Sequence, residues 1–156
     1  MSKSNYEKVD YHYLFVEAED NVLMVKCNGQ LALPCIESYD TEYNKDKILT
    51  TFHVNLSNYS LKWTPIQTII LKYRKCGIRR ILHVVKMDNK MHVSSYSNNE
   101  VGKNMFAAAC VWVPVEELVV NKPNLLSEYT KVAVMEVGKW RGWKKKYKGS
   151  KAKYSV

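Results

Sequence analysis

Two apolar runs near the start, YHYLFVEA (11–18) and VLMVKC (22–27), constrain the fold most. Both are rich in Val, Leu and aromatic residues, and only Glu19, Asp20 and Asn21 lie between them. Turn formers between two such runs predict neighbouring strands with a tight connection. A chain that begins this way has to complete a sheet. NGQ (28–30) is a further turn signal, and LALPC (31–35) reads as a short strand ended by Pro34.

The rest supplies more strands and two helices. Residues 37–48 are polar and mixed in charge and read as a loop, and TFHVNLS alternates as a strand. A helix is predicted from Thr64 to Gly77. Thr64 is its cap, Pro65 its first helical residue and Gln67 completes a capping box. Ile66, Ile69, Ile70 and Tyr73 then form one apolar stripe and Gly77 stops the helix. RRILHVVKM and MHVSSYS, separated by DNK, read as a hairpin. MFAAACVWVPVEEL reads as a strand entering a short turn or helix, and a closing helix is expected from Leu125 to about Val137. This order predicts a mixed α+β sandwich rather than repeated βαβ units.

The 156 residues suffice for one domain with one sizeable core. A composition 46% hydrophobic and 25% charged is that of a globular chain, not a disordered one. No apolar run approaches the roughly 18 residues that span a bilayer. The first ten residues have neither the apolar core of a secretory signal nor the pattern of a transit peptide, so the expectation is an intracellular protein, cytoplasmic or nuclear and not secreted. Cys27, Cys35, Cys76 and Cys110 form no CxxC pair and read as packed, reduced thiols. Cys76, with basic neighbours, is the one candidate for a reactive thiol.

The net charge of +9 is concentrated at one end. From Lys139 to Val156 there are eight basic residues and no acidic one, which divides the chain into a nearly neutral body (1–138) and a basic aromatic tail (139–156). In the tail, Lys139, Arg141, Lys144, Lys145, Lys146 and Lys148 are interleaved with Trp140, Trp143 and Tyr147. Cations attract a phosphate backbone and aromatics stack on unpaired bases, so these nine residues are candidate nucleic-acid contacts. Two readings compete with this: that the tryptophans pack on the body and the lysines only solubilise, or that the tail meets a membrane surface or an acidic protein, against which Gly142, Gly149 and the lack of a long apolar face argue. Three His-Val-x triplets, at His53, His83 and His92, raise the possibility of a two-histidine phosphodiesterase. HVS fits that pattern and HVN fits poorly, so they read as histidines in strands.

LALPC, the segment ending KCGI (75–78) and VWVPVEEL (111–118) resemble, in that order, phrases of the Nudix fold, over roughly residues 11–138. The resemblance implies a sheet between helices and a helix bearing an Arg-Glu-x-x-Glu-Glu core that holds a catalytic divalent metal. If Gly77 is the closing glycine, Leu71, Arg74 and Lys75 replace the glutamates and Ile70 the arginine. Cys35 and Ile36 stand where loop glycines would be, and an insertion of about twenty residues precedes the helix. Arg and Lys offer no acceptor to Mg²⁺ but bind phosphate well. The expectation is therefore a degenerate box and a non-hydrolytic protein that binds RNA or a nucleotide, with Lys72, Arg74, Lys75 and Arg79 as phosphate ligands and no cofactor. Two alternatives stand beside it. One is a hydrolase using Mg²⁺ or Mn²⁺ held by Glu37, Asp40 and Glu42. The other is a structural subunit bound to a protein or ribonucleoprotein partner.

Overall fold

The computed structural model describes residues 9–27, 29–39, 44–56, 62–73, 78–91, 93, 95–96, 108–120 and 126–147. Strands β1 (Val9–Ala18) and β2 (Asn21–Cys27) form the hairpin expected from the opening runs, pairing Glu17 with Val22 and Ala18 with Asn21. The two turn residues both have positive φ, 48° at Glu19 and 58° at Asp20, the left-handed geometry that matches the twist of a two-residue hairpin. Strands β3 (Gln30–Ala32) and β4 (Cys35–Ser38) lie on either side of Pro34. They pair with β2 and β1 respectively.

The structure then departs from the expected order. Helix α1 (Lys45–Asn55) covers sequence read as a loop and a strand. The alternation in TFHVNLS is incidental. Ile48, Leu49, Phe52, Asn55 and Leu56 are buried, at spacings that build one face of a helix. The Asn44 side chain caps that helix by accepting from Lys47 N at 3.1 Å.

The predicted helix at Thr64 is strand β5 (Thr64–Tyr73), paired antiparallel with β6 (Ile78–Lys86) from Thr64↔Lys86 to Tyr73↔Arg79. Register shifts between Pro65 and Gln67 and between Ile70 and Lys72 interrupt its alternation, so a strand carries a helical-looking spacing. Thr64, Ile66, Thr68, Ile69 and Ile70 are β-branched and suit a pleated surface. Ile66 and Ile70, assigned to a buried stripe, are exposed.

Strand β7 (Ser95–Tyr96) pairs with β8 (Ala108–Pro114), not with β6 as the expected hairpin required. Helix α2 (Val115–Val120) follows β8 directly, as VWVPVEEL suggested. The closing helix, α3 (Glu128–Arg141), is joined through Gly142 to a single turn, α4 (Trp143–Lys146).

The strands form one mixed sheet in the order β5-β6-β1-β2-β8-β7. At its centre β1 runs parallel to β6, and both are buried on two faces, which is why YHYLFV and ILHVV are nearly continuous apolar runs. One face buries Leu14, Val16, Leu23, Val25 and Val85 under Ile48, Leu49 and Phe52 of α1. The other buries Tyr13, Phe15, Met24, Leu82 and Val84 under Ala133, Val134 and Val137 of α3 and Trp143 of α4. Among the described residues no helix is long and apolar enough to cross a membrane.

Candidate functional site

The sheet sends neighbouring residues to opposite layers, and this sorts the charged groups. Arg79 and Arg80 are adjacent in β6. Arg79 lies beside Asp10 of β1 and donates to it twice, from Nε to Oδ1 at 3.0 Å and from Nη2 to Oδ2 at 2.7 Å. An arginine expected to hold phosphate is instead committed to a carboxylate within the fold.

Arg80 points to the α3 side. Its guanidinium carbon lies 3.4 Å from the centre of the Tyr129 ring and 4.6 Å from that of Tyr11, and Nη1 donates to the Tyr13 hydroxyl. Tyr129 is held in place because the start of α3 is tied to the strand above it. Leu33 N and Ser127 Oγ both donate to the buried Thr130 hydroxyl, at 3.0 and 2.8 Å, and Ser127 N donates to Leu31 O at 2.9 Å. Burial raises the phenol pKa of both Tyr11 and Tyr13, with the Glu37 charge adding to the rise at Tyr11. The phenols stay neutral and Arg80 provides the positive charge among three rings. Such a group latches α3 to β1 and β6. The sequence reading did not assemble these residues. The signal was present: YHY on one strand and RR on its neighbour, read at period two, place Tyr11, Tyr13 and Arg80 on one face.

The α1 side holds a second polar pair. His12 Nδ1 and His83 Nε2 are 2.9 Å apart with both residues essentially inaccessible, and Phe52 of α1 meets the His83 ring edge-on. One imidazole donates and the other accepts, and burial disfavours the charged form of both. Burial lowers the pKa of His12 to about 4 and that of His83 to about 3. His53 belongs to α1 and stacks on Trp63 at 3.7 Å. His92 lies outside the described residues. The described histidines are thus engaged in packing, and His53 is on a helix, not a strand.

At the C-terminal end the structure divides the expected nucleic-acid contacts in two. Trp143 is buried, with its ring 6.0 Å from Phe15, and Tyr147 packs at the edge of the same core. Trp143 therefore presents no face for stacking. Arg141 donates to Glu17 at 2.8 Å and Lys146 to Asp20 at 3.4 Å, so two cations clasp the β1–β2 hairpin. Lys139, Trp140, Lys144 and Lys145 are exposed. Lys148 and the residues after it lie outside the described residues.

The remaining expected positions scatter. Leu71 sits half-buried on β5 and packs against the α3-side core. Lys72 is also on β5, and Arg74, Lys75 and Cys76 lie outside the described residues. Glu37 of β4 accepts from the Tyr39 hydroxyl at 3.1 Å, whereas Asp40 and Glu42 are not described. Among the described residues no three His, Cys, Asp or Glu side chains are grouped to hold a metal. Cys35 and Cys110 are free, and burial raises their thiol pKa values to about 12 and about 11.

No protein-family model matches this chain, and no curated protein sequence does. Solved structures do match. A Nudix hydrolase from M. smegmatis, RenU, superimposes with a TM-score of 0.59 at 12% identity, over 88% of this chain and 87% of that one. The fold is Nudix-like. The NUDIX domain of Shewanella oneidensis NrtR, solved with ADP ribose, gives 0.53 at 10% identity, over 89% and 92% of the two chains. The C-terminal domain of mouse MUTYH, solved in complex with human PCNA, gives 0.54 at 11% identity, over 86% and 89%. At such identities the likeness is one of fold. It agrees with the resemblance read from LALPC and VWVPVEEL, but the helix between β4 and β5 in this Nudix-like chain is α1, not the segment ending KCGI.

Proposed function

We propose that the chain is a non-hydrolytic, Nudix-like protein that binds RNA or a nucleotide, with its basic C-terminal segment contacting the phosphate backbone. The observation that carries this reading is the make-up of α1. The helix between β4 and β5 in the chain has a single carboxylate, Asp46, flanked by Lys45 and Lys47, and no glutamate. Mg²⁺ takes oxygen ligands, chiefly carboxylates beside substrate phosphates, whereas a lysine ammonium has only donors to offer and attracts phosphate directly. On this reading the charge reversal expected at Arg74 and Lys75 is carried by Lys45 and Lys47 of α1. The ADP ribose bound by the NrtR domain supports the nucleotide class of ligand.

The test is a thermal-shift screen of the full chain with nucleotides, ADP-ribose, a cap analogue and short single-stranded RNA, each with and without Mg²⁺ or Mn²⁺. A ligand at a hundredfold excess over its Kd stabilises the native state by about 2.7 kcal/mol. For a chain of this size that is a midpoint rise of roughly 5–10 °C. The expected result is a rise that does not need the metal, with no product on chromatography. A rise only with metal, accompanied by turnover, overturns the reading in favour of a hydrolase. No rise with any ligand overturns it in favour of a protein partner.

A further inference from the structure

The division of cations on α3 and α4 leads to a more specific inference, which rests on the reading of the chain as an RNA or nucleotide binder. We propose that the C-terminal end of α3 together with α4 is a rigid platform for single-stranded nucleic acid, with Lys139, Lys144 and Lys145 on the phosphates and Trp140 stacked on an unpaired base.

The platform is held by its inward residues. Trp143 is inserted into the core, Gly142 makes the left-handed bend with φ of 67°, and Arg141 and Lys146 are bound to Glu17 and Asp20. Trp143 and Arg141 hold α4 on the body and are thereby withdrawn from a ligand, and Lys146 is engaged by Asp20 at the surface. What faces solvent is different in kind. Lys139 and Trp140 are both exposed in the last turn of α3, about 100° apart around the axis and next to the bend at Gly142. Met135 is 61% exposed and Trp140 45%. Lys144 and Lys145 follow on α4 and make no ion pair among the described residues. Acids are few on this side: Glu128 is exposed at the start of α3, and Glu136 lies 3.7 Å from Lys139. The cations outnumber the acids, so the surface attracts a polyanion.

The apolar groups choose among polyanions. A helix lying in a membrane surface needs one broad apolar face. Met135 and Trp140 are five residues apart, which puts them about 140° apart around the axis, on no common face. A duplex hides its bases, so an exposed tryptophan gains little from it. A single strand offers unpaired bases to an aromatic ring and phosphates to the surrounding lysines, and it is bound without strong sequence preference.

The experiment is fluorescence anisotropy of the full chain with a labelled oligouridylate, with a blunt RNA duplex of equal length, and with vesicles of equimolar phosphatidylcholine and phosphatidylserine. The single strand should bind more tightly than the duplex. Trp140→Ala should weaken single-strand binding by roughly 5- to 100-fold, and Trp140→Phe should restore most of it. The Lys144→Ala/Lys145→Ala variant should reduce the slope of log K against log salt by about 1.4. Circular dichroism should not change in any variant, and the thermal midpoint should not change in the Lys144→Ala/Lys145→Ala variant, whose side chains are exposed, whereas Trp140→Ala also loses the contact with Arg141 that Trp140→Phe keeps in part. Duplex binding as tight as single-strand binding, an unaffected Trp140→Ala, or binding only to vesicles overturns the platform. If the oligomer fails to bind while a nucleotide still stabilises the protein, the platform falls and the broader reading stands. If neither binds, both fall.

Discussion

Acidification should destabilise the fold through the histidine pair buried beneath α1. His12 and His83 are buried as a neutral pair beneath α1, and their folded pKa values, about 4 and about 3, lie below the ordinary 6.5. The unfolded chain therefore binds more protons than the folded one between those limits. The stabilisation is complete above pH 6.5 and is lost as pH falls towards the folded values. For His12 alone, a shift from 6.5 to about 4 corresponds to about 3 kcal/mol over the whole range, of which about 2 kcal/mol is gone by pH 5. The two sites share one hydrogen bond, so their contributions are not summed. Asp10 favours protonation of His12, whereas Arg79 opposes it at His12 and Lys45 at His83, and burial outweighs all three. The assay is urea unfolding at pH 7 and pH 5, comparing the wild-type chain with His12→Leu/His83→Leu. Replacing both partners by apolar groups avoids leaving one buried and unpaired. The wild-type midpoint should fall on acidification by roughly 1 M more than that of the variant. Equal falls in the two proteins would refute a neutral buried pair.

The α3 layer makes two further predictions. A Cβ on Gly138 would lie 3.0 Å from Trp143 Cε3, so Gly138→Ala should displace the indole and cost about 1–3 kcal/mol, read as a lower urea midpoint and a red-shifted tryptophan emission. Arg80→Ala removes the cation from the Tyr11–Tyr129 group and the donor to Tyr13, and should cost about 1–3 kcal/mol. Hydrogen exchange should then show the first turn of α3 opening more often, and no such change would remove the latch.

The strands at the centre of the sheet were legible because burial on two faces leaves few alternatives: β1, β2, β6 and β8 all lie where apolar runs and turn residues put them. The two middle elements were not, for opposite reasons. In β5 the bulges near Ile66 and Leu71 produce a 3.6-like spacing from a strand, and Thr64-Pro65 imitates a helix start at an edge. In α1 the apolar side is only Ile48, Leu49, Phe52 and Leu56, and polar residues dominate the rest, so the cap at Asn44 was the better clue. The basic tail was legible as charge but not as structure. Nothing in KWRGWKKKY distinguishes Trp140 from Trp143 until Gly142 turns the chain and sends the second indole into the core.

Arg79 and Arg80 show why composition alone could not locate the site. They have the same side chain and neighbouring positions, yet one is neutralised by Asp10 under the α1 layer and the other is enclosed by phenols under α3. The same sorting recurs at the C-terminus, where Arg141 and Lys146 serve the fold and Lys144 and Lys145 do not. In each case the acid was set by the sheet. Asp10 and Glu17 are on β1, Asp20 is in the hairpin turn, and a cation that reaches any of them is lost to a ligand. The positive charge open to phosphate is therefore what these three acids leave unpaired. On the described surface that includes the lysines on the outward side of α3 and α4, so neutralising Asp20 should free Lys146 and strengthen phosphate binding instead of abolishing it. Asp20→Asn, assayed with the same labelled oligouridylate, should bind more tightly and with a steeper salt dependence. Unchanged or weaker binding would mean that Lys146 is not withheld by the clasp.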